Sequence, residues 1–152
     1  MTIFEWQAEL AQKQAGILAH WVKTSRPDWL NKSPKVDDSS QARTIMDQVG
    51  ECIRVNRRAA ALLAGKEPVL PPTDGLNCDD ACTQLIESAK EYADTVRTLD
   101  ESMLTNKYTL PWGEVDGAFM ISMPIQNMSY HGGAINYIQT LYGDTEFHVP
   151  GR

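Results

Sequence analysis

At 152 residues, 42% hydrophobic and 22% charged, the chain suits one globular domain with a buried core. Its 14 basic and 20 acidic residues leave a formal net charge of −6 with no basic run, which argues against a nucleic-acid partner. No apolar run approaches the roughly 20 residues of a membrane span, and the opening MTIFEWQAELAQ has neither the basic nor the apolar region of a secretory signal. A cytoplasmic protein without membrane contact is expected, with Cys52, Cys78 and Cys82 as reduced thiols.

The first helix is expected from Thr2-Ile3-Phe4-Glu5, where Thr2 and Glu5 can satisfy each other's free amides, to about residue 22. Its periodic apolar residues are Phe4, Leu10, Ile17, Leu18 and Trp21. Residues 24 to 38, with two prolines and Trp29, read as a long connection. The second helix is expected from about Ser40, capped by Asp38 (with Gln41) or by Ser40, to Ala64, where Gly65 ends it. Its inward stripe is Ile45, Gln48 or Val49, Cys52, Val55 or Asn56, Ala59, Leu62 and Leu63. A proline-rich stretch follows, and Asn77 is placed to cap the third helix, with Asp79 and Asp80 suited to its N-terminal dipole. Cys82, Leu85, Ile86, Ala89, Tyr92, Ala93, Val96 and Leu99 form its stripe.

Residues 103 to 117 break the helical rhythm, with room for a short extended stretch at 108 to 110. The last helix carries Phe119, Met120, Met123, Asn127, Tyr130, His131, Ala134, Ile138 and Leu141 at steps of three or four. Pro124 either starts or kinks it, Gly143 stops it, and residues 144 to 152 form a polar tail. Four amphipathic helices without a strand series predict an all-α four-helix bundle spanning residues 1 to 152 as one domain.

The polar residues on its inward stripes make the bundle informative. Asn127 and His131 are four apart and share a helical face with Met123, Ala134, Ile138 and Leu141, so that face is expected to be the buried one. Gln48 has an equivalent phase on the second helix. Polar groups facing one core must find partners, or each costs about 1–3 kcal/mol. Bundle interiors are also where helical proteins build metal and ligand sites, so a pocket over Gln48, Asn127 and His131 is expected. The competing reading is a core histidine satisfied by its neighbours. Cys78 and Cys82 share a face, but nothing nearby completes a zinc set. His20 suits a role at the end of the first helix, and His148 lies in the tail. No phosphate-loop, dinucleotide-binding, zinc-protease or nucleophile-elbow motif is present.

The segments MPIQNMSYHGGAINYIQTLYGD (123 to 144) and QARTIMDQVGECIRVNRRAAALLAGK (41 to 66) resemble the last and second helices of DinB-like, DNA-damage-inducible proteins. The resemblance covers nearly the whole chain in helix order and loop placement. It implies an up-down-down-up four-helix bundle, often a homodimer. It also implies a divalent metal, zinc or nickel, on three histidines: one from the second helix, and two spaced by four from the last. Some members use that metal to activate low-molecular-weight thiols such as bacillithiol, mycothiol or glutathione for transfer or isomerisation.

Carried over position by position, the three ligands fall on Gln48, Asn127 and His131, so one imidazole of three remains. Carboxamides are weak neutral donors, and the expectation is therefore a metal-free polar pocket able to take a small molecule. The alternatives are an active metal-dependent thiol transferase that recruits Asp47, Glu51 or His148 as a further ligand, and a structural homodimer without a ligand. Trp29 and Trp112 could line a pocket mouth or serve as lids over the core.

Overall fold

The computed structural model describes residues 1–35, 37, 42–148 and 150. Four helices make up the bundle: α1 (Ile3–Thr24), α2 (Ile45–Leu63), α3 (Cys78–Val96) and α4 (Gly117–Leu141). The Thr2/Glu5 capping box starts α1 as expected, and Asn77 caps α3 through Asp80 N–H. The start of α2 differs from expectation. Thr44 caps it, in a reciprocal box with Asp47, so the helix begins at Ile45 rather than near Ser40. The expected caps Asp38 and Ser40, with Gln41, lie outside the described residues.

Cross-helix contacts fix the directions. Cys82 meets the carbonyl of Ala19, and Arg97 reaches Gln12, so α1 and α3 are antiparallel. Trp21 lies against Gly132 while Ser25 bonds Gln139, so α1 and α4 run parallel. His131 faces Gln48 and Met128 faces Asn56, so α4 and α2 are antiparallel. The order around the bundle is α1, α3, α2, α4, which is the up-down-down-up arrangement.

The contact face of α1 is an alanine stripe, Ala8, Ala11, Ala15 and Ala19, closed by Phe4, Leu18 and Val22. Small side chains there let the neighbouring helices approach closely, while Leu10 and Ile17 are only half-buried. On α3 the expected stripe is buried except for Ile86, which is exposed, and Leu99, half-buried just past the helix. Asn56, fully buried on α2, donates to the hydroxyl of Ser88 on α3 at 3.1 Å.

Between α3 and α4 a 3-10 turn (Glu101–Thr105) leads into an antiparallel hairpin, β1 (Lys107–Leu110) and β2 (Gly113–Asp116). The extended stretch expected at 108 to 110 is its first strand. Pro124 sits inside a continuous α4, where it can offer no N–H to Met120. The adjacent Ile121 carbonyl receives the hydroxyl of buried Tyr92 from α3. The tail is tied to the bundle through His148: Trp21 donates its indole N–H to the His148 carbonyl, and His148 Nε2 meets Asp144 Oδ2 at 2.7 Å. No helix among the described residues is long and apolar enough to cross a membrane.

Candidate functional site: a polar cleft between α2 and α4

The antiparallel crossing of α2 and α4 brings the first two turns of α2 opposite the middle of α4. Gln48 and Glu51, three residues apart, share one face of α2, as Asn127 and His131 do on α4. His131 is 1% exposed and Gln48 4% exposed, whereas Asn127 sits at the edge, half-buried. His131 Nδ1 lies 3.0 Å from Gln48 Oε1. A carboxamide oxygen can only accept, so Nδ1 carries the proton and the neutral ring leaves Nε2 as a bare lone pair.

That lone pair is the notable group of the site. Nε2 is buried without a hydrogen-bond partner among the described residues, and so is Asn127 Oδ1. Glu51 Oε1 stands 3.4 Å from Nε2 and receives Asn127 Nδ2–H, also at 3.4 Å. The outer oxygen of the same carboxylate, Oε2, is bound by the exposed guanidinium of Arg43. Burial holds His131's proton affinity below its usual value; neighbouring Glu51 pulls it back up in part, and Arg43 opposes that pull.

These groups form the floor of an open cleft of about 830 Å³. Ala134, Tyr137, Ile138 and Leu141 of α4 and Tyr130 line it, with Pro34 and Ala42 from the segment before α2. Leu141, expected on the buried face, is instead 54% exposed, and Tyr130 of the same periodic series is 73% exposed, because their helix face borders an open cleft rather than another helix. Phe119 is likewise exposed, at the hairpin end of α4. The buried face of α4 keeps the expected Met120, Met123, His131 and Ile138 and is wider than the stripe, taking in Ile121, Pro124, Met128, Ile135 and Gln139 as well.

The structure thus brings Gln48, Asn127 and His131 together and adds Glu51 and Arg43. Glu51 had been expected only as a recruited ligand, and Arg43 had not been expected at all. A carboxylate three residues after Gln48, on the same face, was the available signal for Glu51. Asp47 is occupied in capping α2, and His148 is paired with Asp144, so neither joins the site. Trp29 is a lid rather than a cleft residue: it is buried, with its ring 5.5 Å from that of Tyr142. Trp112 is exposed at the hairpin turn, and neither tryptophan lines the cleft.

The donor set does not fit the three-histidine metal that the resemblance implies. Two of the three positions carry carboxamides, and the Gln48 oxygen is already engaged by Nδ1–H. Among the described residues, no group of three or more His, Cys, Asp and Glu side chains is placed to hold an ion.

Helix order and direction define an all-α, up-down-down-up four-helix bundle, and its likeness to a solved structure makes the fold DinB-like. Among solved structures, the chain is similar to the crystal structure of a DinB-like protein, YjoA, from Bacillus subtilis. The TM-score is 0.66 at 12% sequence identity, covering 95% of this chain and 98% of the other, a likeness of fold. No protein-family model and no curated protein sequence matches the chain.

Proposed function

We propose that this chain is a cytoplasmic small-molecule-binding protein whose site is the cleft over Gln48, Asn127 and His131, and that it works without a three-histidine metal centre. One observation carries the reading: a fully buried histidine, its Nε2 without a hydrogen-bond partner among the described residues, lies in the lining of a cleft large enough for a metabolite. An unsatisfied buried acceptor costs about 1–3 kcal/mol, and a ligand that donates to it recovers that cost on binding. The apolar wall above a polar floor has the usual make-up of a ligand pocket.

A second reading has a specific support in Glu51, whose carboxylate stands beside Nε2 and offers a charged donor in place of a missing imidazole. Elemental analysis of protein purified without added metal separates the two. The binding-protein reading expects no stoichiometric zinc or nickel, together with a thermal shift from at least one compound in a metabolite screen that disappears in His131→Leu. One metal ion per chain, lost on His131→Ala, would overturn it.

A further inference from the structure

The unsatisfied groups of the cleft all have one polarity. His131 Nε2 and Asn127 Oδ1 are buried acceptors without donors, and Glu51 Oε1 faces Nε2 at 3.4 Å with no hydrogen available between them. Asn127 Nδ2 gives Oε1 only a long contact of 3.4 Å. Two lone-pair-bearing atoms, Nε2 and Oε1, therefore face each other at 3.4 Å and repel until a group that carries N–H or O–H bridges them. The charge at that point is also negative. Arg43 is the only cationic side chain on the cleft wall among the described residues, and it holds the outer oxygen, Oε2, from the solvent side. That contact turns Oε1 inward. Glu51 is partly exposed, so its carboxylate can adjust around an incoming group.

Resting on the binding reading above, we propose that the cleft is built for a small primary amine with an apolar or aromatic body. The ammonium has N–H donors for both facing acceptors, Glu51 Oε1 and His131 Nε2, and a positive charge for the carboxylate. A buried cation needs a paired carboxylate as well as hydrogen bonds, and Glu51 provides the charge. The body of the ligand lies along Tyr137, Ile138 and Leu141. Tyr130, whose ring stands edge-on to the His131 imidazole at 5.1 Å, closes the polar end. An anionic ligand is disfavoured, since it would have to displace Glu51 from Arg43 and then face the bare acceptors. A neutral alcohol brings one donor for two acceptors and no charge for the carboxylate.

The test uses the full-length protein, stripped of metal with a chelator, and three probes of one shape: 2-phenylethylamine, 2-phenylethanol and phenylacetate. Calorimetric titration is expected to show the amine binding at least about tenfold more tightly than either of the others. Glu51→Gln, a substitution at a partly exposed position, is expected to weaken the amine by about tenfold or more, as loss of a charge-assisted hydrogen bond does. The side-chain amide NMR signals of Gln48 and Asn127 locate the bound probe. If phenylacetate or the alcohol shifts those signals and binds as tightly as the amine, the ligand class is wrong while the cleft remains a binding site. If none of the three shifts them at millimolar concentration, both inferences fall. Stoichiometric binding of zinc chloride, abolished by Glu51→Gln, with no amine binding would assign the acceptors to a metal and overturn the proposal.

Discussion

His131 is held by a bond from Nδ1 to Gln48, and its Nε2 has no hydrogen-bond partner among the described residues. Its proton affinity has a consequence for stability. Because burial lowers that affinity in the folded chain, the unfolded chain takes up the proton first as pH falls. The stabilising contribution is therefore complete above the ordinary value of 6.5. Below it, stability is lost at up to about 1.4 kcal/mol per pH unit, until the folded form protonates as well. Denaturant melts from neutral to mildly acidic pH should show this extra slope in the wild type and not in His131→Leu. Equal slopes would mean that Glu51 restores the proton affinity that burial removes.

The thiols allow a second test at the same scale. Cys82 is buried against α1, and burial, with a smaller effect of Cys78, pushes its thiol up to about 12. Burial raises Cys52 further still. Since the thiolate is the reactive form, a disulfide reagent should modify Cys78 quickly in the native protein and Cys52 and Cys82 only after unfolding. Three equally fast thiols would show that the α1–α3 contact opens readily.

At the scale of the elements, adjacent glycines on α4 should respond in opposite ways. A Cβ on Gly132 would come within 2.6 Å of Trp21 Cζ3, so Gly132→Ala must displace the Trp21 ring from its packing between α1 and α4, at a cost of about 1–3 kcal/mol. Gly133 meets nothing within 4 Å and is exposed, so Gly133→Ala should gain about 0.5–1 kcal/mol from helix propensity. Paired thermal melts decide the matter, and destabilisation by both substitutions would contradict an α1 contact confined to Gly132.

The same helix shows what could be read from the sequence. Its existence, its length and the inward phase of His131 follow from apolar spacing. The exact face does not, because residues that wall an open cleft are as apolar as residues that fill a core: Tyr130 and Leu141 look like core in a periodicity pattern. Gln48 was legible as a polar residue on an inward stripe. Glu51 was harder to place because a charged side chain on a helix is nearly always solvated, and only the approach of α4 gives it a role. The start of α2 was misplaced since Asp38, Ser40 and Thr44 are all competent caps in sequence, and Thr44 with Asp47 completes the reciprocal box.

Across the whole molecule, the cleft draws on α2, α4 and the segment before α2, while α1 and α3 contribute none of its lining. Stability and binding should therefore separate. Ala15→Leu overfills the α1 stripe and should cost about 1–3 kcal/mol in denaturant melts. Cleft affinity, measured well below the melting temperature, should stay within about twofold of wild type, as expected for distant sites without shared partners. A proportionate loss of affinity would show that the cleft is shaped through the core.

The order of helices around the bundle also bears on how the chain comes off the ribosome. α1 and α2 are not neighbours; each packs against α3 and α4 instead. The first half of the chain, when it emerges, therefore has two apolar stripes and no native surface on which either can close. α3 is the first element that gives both a partner, and α4, with the histidine end of the cleft, is needed to complete the ring. Native pairing is delayed until most of the chain has been made, so the nascent N-terminal half depends on being kept from misassociation. The cleft is then among the last features to form, because its two walls come from helices separated by the whole of α3.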